Sequence, residues 1–290
     1  MVWGDDGRIE LVEKSMSAGL PEPAVNKSPH DTPEDSRGDS QEAASNPLGS
    51  AISLLRGSAT TTGEEPFEER SQAAIIQRDA LVNWAKREGL IIDPPRWLRL
   101  AQAGGAEHDI AYQEATCKYW KVTRPDHFGW TVLPGHDGNP YGAEATPLEY
   151  LERWQNANEV FGDDVKLRGV IVTDQGVQVV VSQPFIKGKY PEQSQIRTQM
   201  REQGFQLVPR FHLGADPNTS YYHVEEKIAV FDAAPDNFIM SQKMAVPIDV
   251  VVIRVSDALG KQLSSRLLKR TVLKHRKRGF SFRRTTPPIG

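Results

Sequence analysis

At 290 residues the chain has room for one average domain plus a further segment, or for two domains. With 38% hydrophobic residues and a mean hydropathy of −0.50 it is polar for a fully globular protein, and normal if about a quarter of it is unfolded. A net charge of −3 removes any global case for a nucleic-acid or membrane-surface protein, and the single cysteine, Cys117, excludes an internal disulfide.

Residues 1–65 read as a disordered acidic and polar arm: Ser, Pro, Gly, Asp, Glu, Ala and Thr dominate, and acids outnumber bases up to Arg70. Ala51, Ile52, Leu54 and Leu55 form a short apolar patch within it, read as a chance cluster, with a transient helix or docking peptide as the alternatives. From Pro66 the periodicity becomes helical, with Ala73, Ile75, Ile76, Ala80, Leu81, Trp84 and Ala85 on one face and Gly89 as the stop, which predicts an amphipathic helix over 66–90. Pro94-Pro95 ends it, and Trp97-Leu-Arg-Leu looks strand-like.

Between 97 and 123, breaks at Gly104-Gly105 and Gln113-Glu114 predict two or three antiparallel strands, with Tyr119 and Lys121 on one face because side chains alternate at period two. A Gly- and Pro-rich loop follows, and then Thr146-Pro147-Leu-Glu149 has capping-box spacing, predicting a helix to about Phe161. The β-branched runs 166–173 and 178–182 flank Asp174-Gln-Gly as a hairpin, 191–203 reads as a helix stopped by Gly204, and 221–231 reads as a second hairpin. One more strand is expected over 246–255, interrupted by Asp249.

The chemistry concentrates in Asp232-Ala-Ala-Pro-Asp-Asn237, with Asp249 twelve residues further on. An Asp five residues before an Asn on a loop, then an Asp among Val246, Ile248, Val250 and Val251, suits phosphoryl transfer: one carboxylate takes a hydroxyl proton, while an amide oxygen and a second carboxylate hold Mg²⁺. A carboxylate in that apolar run needs a partner or a metal. The plainer alternative makes Asp232 and Asn237 turn caps and Asp249 an outward residue of an edge strand. The seven histidines have no zinc-like spacing among themselves or with Cys117, and no phosphate-binding GKS/GKT loop or Gly-x-Ser-x-Gly elbow is present.

At these residues the sequence resembles the protein kinase-like superfamily, and within it the short kinase-like domains of polyvalent proteins from phages and conjugative elements. The similar stretches are Gly104-Gly-Ala-Glu-His108, Tyr119-Trp-Lys121, Tyr150-Leu-Glu-Arg with Phe161-Gly-Asp-Asp, Val181-Ser-Gln-Pro-Phe-Ile-Lys-Gly188, and the block from Asp232 to Asp249. The resemblance implies an α+β, small bilobal kinase-like fold, with an antiparallel N-lobe sheet and one helix over 91–183 and a reduced C-lobe over 184–257. It implies an ATP- and Mg²⁺-dependent phosphotransferase acting on a hydroxyl acceptor such as a protein.

By the same resemblance Lys121 contacts the α and β phosphates, with Lys118 as the alternative in another register, and is held by Glu152 from the helix, with Glu149 competing. Gly104 and Gly105 form a flap over the phosphates, Gln183 and Phe185 belong to an adenine-binding hinge, Asp232 is the base, and Asn237 and Asp249 are metal ligands. Departures are also plain: Val230-Phe231 precedes Asp232, Val250-Val251 follows Asp249, and no Ala-Pro-Glu segment appears. They leave room for an inactive, pseudokinase-like module.

The stretch 258–290 is basic, with no Asp or Glu after Asp257 and leucines at helical spacing. It reads as a helix packed on the small lobe, with nucleic acid bound through 259–290 as the alternative. Cys117 is expected buried and inert, and a soluble cytoplasmic protein without a membrane span is expected, since no secretory pattern opens the chain.

Overall fold

The computed structural model describes residues 47–59, 65–99, 101–103 and 105–278. The acidic arm up to residue 46, Gly104, and the tail after 278 lie outside the described residues, as do the side chains from 269 onward. No helix among the described residues is long and apolar enough to cross a membrane.

Two helices stand ahead of the first sheet. The first, α1 (Leu48–Ser58), buries Leu48, Ala51, Ile52 and Leu55 almost completely. The apolar patch assigned to the arm is therefore a core helix: its i, i+3, i+4, i+7 spacing makes a stripe that two neighbouring helices cover. The second, α2 (Phe67–Arg87), buries Ala73, Leu81, Trp84 and Ala85 beside it.

The first sheet has the order β1-β2-β3-β7-β6, from β1 (Gln102–Ala103), β2 (His108–Gln113), β3 (Lys118–Thr123), β6 (Lys166–Thr173) and β7 (Gly176–Pro184), all antiparallel. Both strand-turn-strand readings hold. The strand read at Trp97 is instead a short helix, α3 (Arg96–Arg99), whose Leu98 closes the outer face over Ala111, Val122 and Val180. The prolines at 94 and 95 suit a helix start better than a strand.

On the other face, α1 and α2 pack with α4 (Pro147–Phe161) around Leu151, Trp154, Val170 and Val179. The predicted capping box begins α4: Thr146 Oγ1 accepts from the Glu149 amide at 3.4 Å, and the Thr146 amide donates to Glu149 Oε2 at 2.8 Å. Gly162, at φ +68°, ends it in the left-handed conformation that glycine adopts without strain.

What reads as a loop after β3 contains a hairpin, β4 (Trp130–Pro134) with β5 (Pro140–Glu144). The turn residues Gly135, Gly138 and Asn139 that suggest a loop form its tip.

The second body is a sheet of order β13-β10-β9-β8: β8 (Gln206–Leu207), β9 (Tyr221–His223), β10 (Ile228–Phe231) and β13 (Val251–Arg254). One face packs on α5 (Gln193–Glu202) through Ile196 and Met200, and the other on α6 (Asp257–Arg278) through Leu259 and Leu263. The basic helix thus docks on this sheet and, through Gln262 and Arg266, on the tip of the β4–β5 hairpin, which lies within the stretch read as the small lobe.

The strand read over 246–255 is two strands in different sheets, β12 (Met244–Pro247), paired with β11 (Phe238–Ser241), and β13. Asp249 sits in the bend between them, because its carboxylate points to cations outside either ladder. Helix α4 joins both bodies: its first half lies in the first core, while the Arg153 guanidinium and the Asn156 amide donate to the carbonyls of Val250 and Val252 at 2.9 and 3.1 Å.

A candidate phosphotransfer site between the two sheets

Lys121 lies on the face of β3 that looks into the space between the two bodies, and its side chain is 5% exposed. Its ammonium donates to the Ile248 carbonyl and lies 3.3 Å from Asp249 Oδ1, 4.8 Å above the Trp154 ring. Lys118, three residues away, falls on the opposite face of the strand, so of the two lysines Lys121 is the one on this face.

Asp249 is also held by α4. Arg153 Nη2 donates to Asp249 Oδ1 at 3.0 Å, Nη1 donates to Glu107, and Nε donates to the Val250 carbonyl. A guanidinium suits this position because its planar fork serves two carboxylates and a carbonyl at once. Burial raises the Asp249 carboxyl, but Lys121 and Arg153 outweigh it and hold Asp249 well below the usual carboxylate range.

The pairing of Lys121 with Glu152 is corrected here. Glu152 faces out and binds Arg56 at 2.7 Å, and Glu149 is taken by its capping box and by Arg70 at 2.8 Å. Adjacent helical residues point about 100° apart, so the turn that sends Arg153 inward sends Glu152 outward.

His108 begins β2 beside Glu107. Its Nε2 is 3.0 Å from the Tyr150 hydroxyl, while Nδ1 has no hydrogen-bond partner and faces Glu107 and Asp249 at 3.8 and 3.9 Å. Burial pushes it down to about 3, so it stays neutral and the cluster balances two cations against two carboxylates. Glu107, His108 and Asp249 offer ligand atoms within 4.8 Å of one another, although histidine spacing pointed to no metal group. The cation that Glu107 and Asp249 already share is the Arg153 guanidinium.

Asp232 and Asn237 lie on the other wall. Asp232 follows β10 at φ +55°, a strained conformation that Asp tolerates better than most residues. Asn237 ends the Pro235–Asn237 turn, and its Nδ2 donates to the Asp232 carbonyl at 2.8 Å and to Asp232 Oδ2 at 3.0 Å. Burial raises Asp232 to about 6 against the opposing effect of Asn237. The Asn237 carbonyl in turn accepts from the Ile248 amide at 2.8 Å, so backbone and side-chain bonds run unbroken from Asp232 through Asn237 and Ile248 to Lys121 and Asp249. The second oxygen of Asp249 and the amide oxygen of Asn237 take no part in these bonds, so two hard oxygen donors remain for a cation.

Close approach defines one side of Asp232. A β-carbon on Gly214, at φ +83°, would stand 2.4 Å from Asp232 Oδ1. Gly214→Ala is expected to displace that carboxylate and to cost about 1–2 kcal/mol for the left-handed backbone. Phosphate transfer should fall at least about tenfold if Asp232 is the base; an alanine variant with full transfer would contradict that placement.

Of the remaining predicted residues, Gln183 is buried at the end of β7, and its amide donates to Asp163 Oδ2 at 2.7 Å. Phe185 follows it, 43% exposed. Gly105 has open space around it, and Gly104 lies outside the described residues. Cys117, expected buried, is exposed at φ +49° in the β2–β3 turn, where no core reaches it.

Asp163 was not singled out from the sequence. Burial lifts it to about 6, opposed by its hydrogen bonds and by Lys121. A carboxyl raised on folding binds its proton more tightly in the native state, so its contribution is complete below about 4 and fades as pH rises through 6. Asp163→Asn has nothing to titrate there. Relative to wild type it should gain about 1 kcal/mol between pH 4 and pH 7 in urea unfolding, the burial being incomplete; an unchanged difference across that range would refute the assignment.

No curated protein and no solved structure matches the chain. Residues 76–256, more than half of the chain and all of the site just described, match the family described as the serine/threonine/tyrosine kinase found in polyvalent proteins. The chain belongs to that kinase family, and its mixed α+β architecture fits a small kinase-like fold.

Proposed function

We propose that the protein transfers the γ-phosphoryl group of ATP, with Mg²⁺, to a hydroxyl acceptor, most simply a protein side chain. The observation that supports this best is the hydrogen-bonded path from Asp232 through Asn237 and Ile248 to Lys121 and Asp249, which joins residues as far as 128 positions apart. Lys121 supplies the fixed positive charge for the phosphates. Asp249 and Asn237 supply the oxygens that would hold Mg²⁺, whose chemistry when bound is to neutralise charge on the phosphate oxygens. Asp232, raised toward neutrality, is suited to accept the acceptor hydroxyl proton.

Asp249 Oδ1 accepts from both Arg153 and Lys121. That feature favours, as a second reading, a module that binds nucleotide without turning it over. Incubation with γ-labelled ATP and Mg²⁺ separates the two: label passing to a protein acceptor, and lost on chelation, supports transfer. Tight Mg²⁺-dependent ATP binding with no transfer or phosphate release to any acceptor offered would support the binding module instead.

A further inference from the structure

The proposed base is framed by a loop from another part of the chain. Residues 209–219 lie between β8 and β9, and the Val208 amide, donating to the Ser220 carbonyl at 2.9 Å, closes their ends into a compact loop. That loop touches three consecutive residues around Asp232. The Phe211 ring meets Phe231 edge-on with centroids 5.6 Å apart, Gly214 lies too close to Asp232 Oδ1 to carry a side chain, and the Thr219 carbonyl accepts from the Ala233 amide at 2.9 Å. Asp232, at φ +55°, holds a sparsely populated conformation, which persists only where its surroundings over-determine it. The loop supplies three of those constraints.

The same loop is held by one side chain of α6. Arg266 Nη1 donates to the Arg210 carbonyl at 2.8 Å and to the Pro209 carbonyl at 3.3 Å, and the guanidinium carbon stands 5.8 Å from the Phe211 centroid. Nη2 donates to Asn139 Oδ1 at 3.0 Å, at the tip of the β4–β5 hairpin. Arg210 is itself at φ +58°, so the chain is strained where Arg266 grips it. A planar fork that serves two backbone carbonyls, a ring face and a hairpin amide together is a strut that no other side chain could replace in full.

We infer that Arg266 is a positioning residue for phosphate transfer: from α6, past the last strand of the site, it fixes the 209–219 loop and through it the carboxylate of Asp232. The inference rests on the phosphotransferase reading for the role of Asp232. It adds that the basic helix is a working part of the transferase, needed for the chemical step and dispensable for holding nucleotide.

Transfer kinetics and calorimetric binding of Mg²⁺ and ATP, measured on the full chain, test this in Arg266→Met, Arg266→Lys, Asp232→Ala and the double variant of Arg266→Met with Asp232→Ala. Arg266→Met should lower kcat about tenfold, as a slightly displaced catalytic group does, with KM and Kd for ATP within about twofold of wild type. Arg266→Lys should recover part of the loss and stay about threefold below wild type, since an ammonium reaches a loop carbonyl but not Asn139 as well; it carries the comparison if the melting point shows the methionine variant unfolded. Where Asp232 is already alanine, Arg266→Met should cost less than about twofold, because no carboxylate is left to misplace. The same tenfold loss in both backgrounds would overturn the inference, as would a folded Arg266→Met protein with wild-type kcat. A second readout is independent of turnover: carboxyl-carbon NMR of protein labelled in its aspartates, with the Asp232 signal identified by its loss in Asp232→Ala. That signal should move in Arg266→Met and in Arg266→Lys. If it moves in a protein that transfers no label to any acceptor, the phosphotransferase reading falls and the hold of Arg266 on Asp232 stands. An unmoved signal in the folded variants overturns the inference whatever the activity.

Discussion

Asp232→Ala is expected to lower phosphate transfer by about 10²–10⁴-fold while leaving Mg²⁺-dependent ATP affinity within about threefold of wild type. In the proposed roles its carboxylate receives a proton, and Lys121 and Asp249, the groups proposed to serve the phosphates and the metal, survive its removal. Asp249→Ala should lose both transfer and Mg²⁺-dependent binding. It also strips a partner from two buried cations, Lys121 and Arg153, at a cost of about 3–5 kcal/mol. Asp249→Asn keeps an oxygen for Arg153 and removes the charge a divalent ion requires, so it tests the metal role in a protein that stays folded. Labelled-ATP transfer and calorimetric binding measured on all three would reject the assigned roles if transfer persisted in Asp232→Ala and Asp249→Asn alike.

Arg153→Met should destabilise the protein by about 3–5 kcal/mol in urea unfolding, whereas Glu152→Ala should cost no more than about 1 kcal/mol. The two residues are neighbours in sequence and opposites in environment. Arg153 is 3% exposed, and its loss strands the carboxylates of Glu107 and Asp249 in a region poor in water. The Arg56–Glu152 pair is 56% and 29% exposed, where solvent and side-chain entropy cancel most of the attraction. Arg153→Lys should recover less than half of the loss, since an ammonium cannot reach both carboxylates and the Val250 carbonyl together. If Glu152→Ala abolished transfer and Arg153→Met did not affect stability, a glutamate on α4 would have to be restored to the role of Lys121's partner.

These contrasts show where sequence pattern carries information. Alternation and turn chemistry made β2, β3, β6 and β7 legible, and the capping box marked the start of α4, because these signals depend on residues a few positions apart. Asp232, Asn237 and Asp249 were singled out by residue type and spacing and Lys121 by resemblance, and one path of hydrogen bonds joins the four. The helix partner was not legible: a choice between glutamates at 149 and 152 never weighed the basic residue at 153. The charge on the same apolar stripe as Tyr150 and Trp154 was the signal available. Helix α1 went unread because low complexity on both sides masked a four-residue stripe whose partners, α2 and α4, come later in the chain. Asp163 and His108 owe their properties to burial, which no local spacing encodes.

Because α4 belongs to the first core at its beginning and is bolted to the β13 backbone by Arg153 and Asn156, the two bodies are fastened at the rear. Separation there would strand the buried Arg153 charge, so relative movement of the two sheets is costly at this helix.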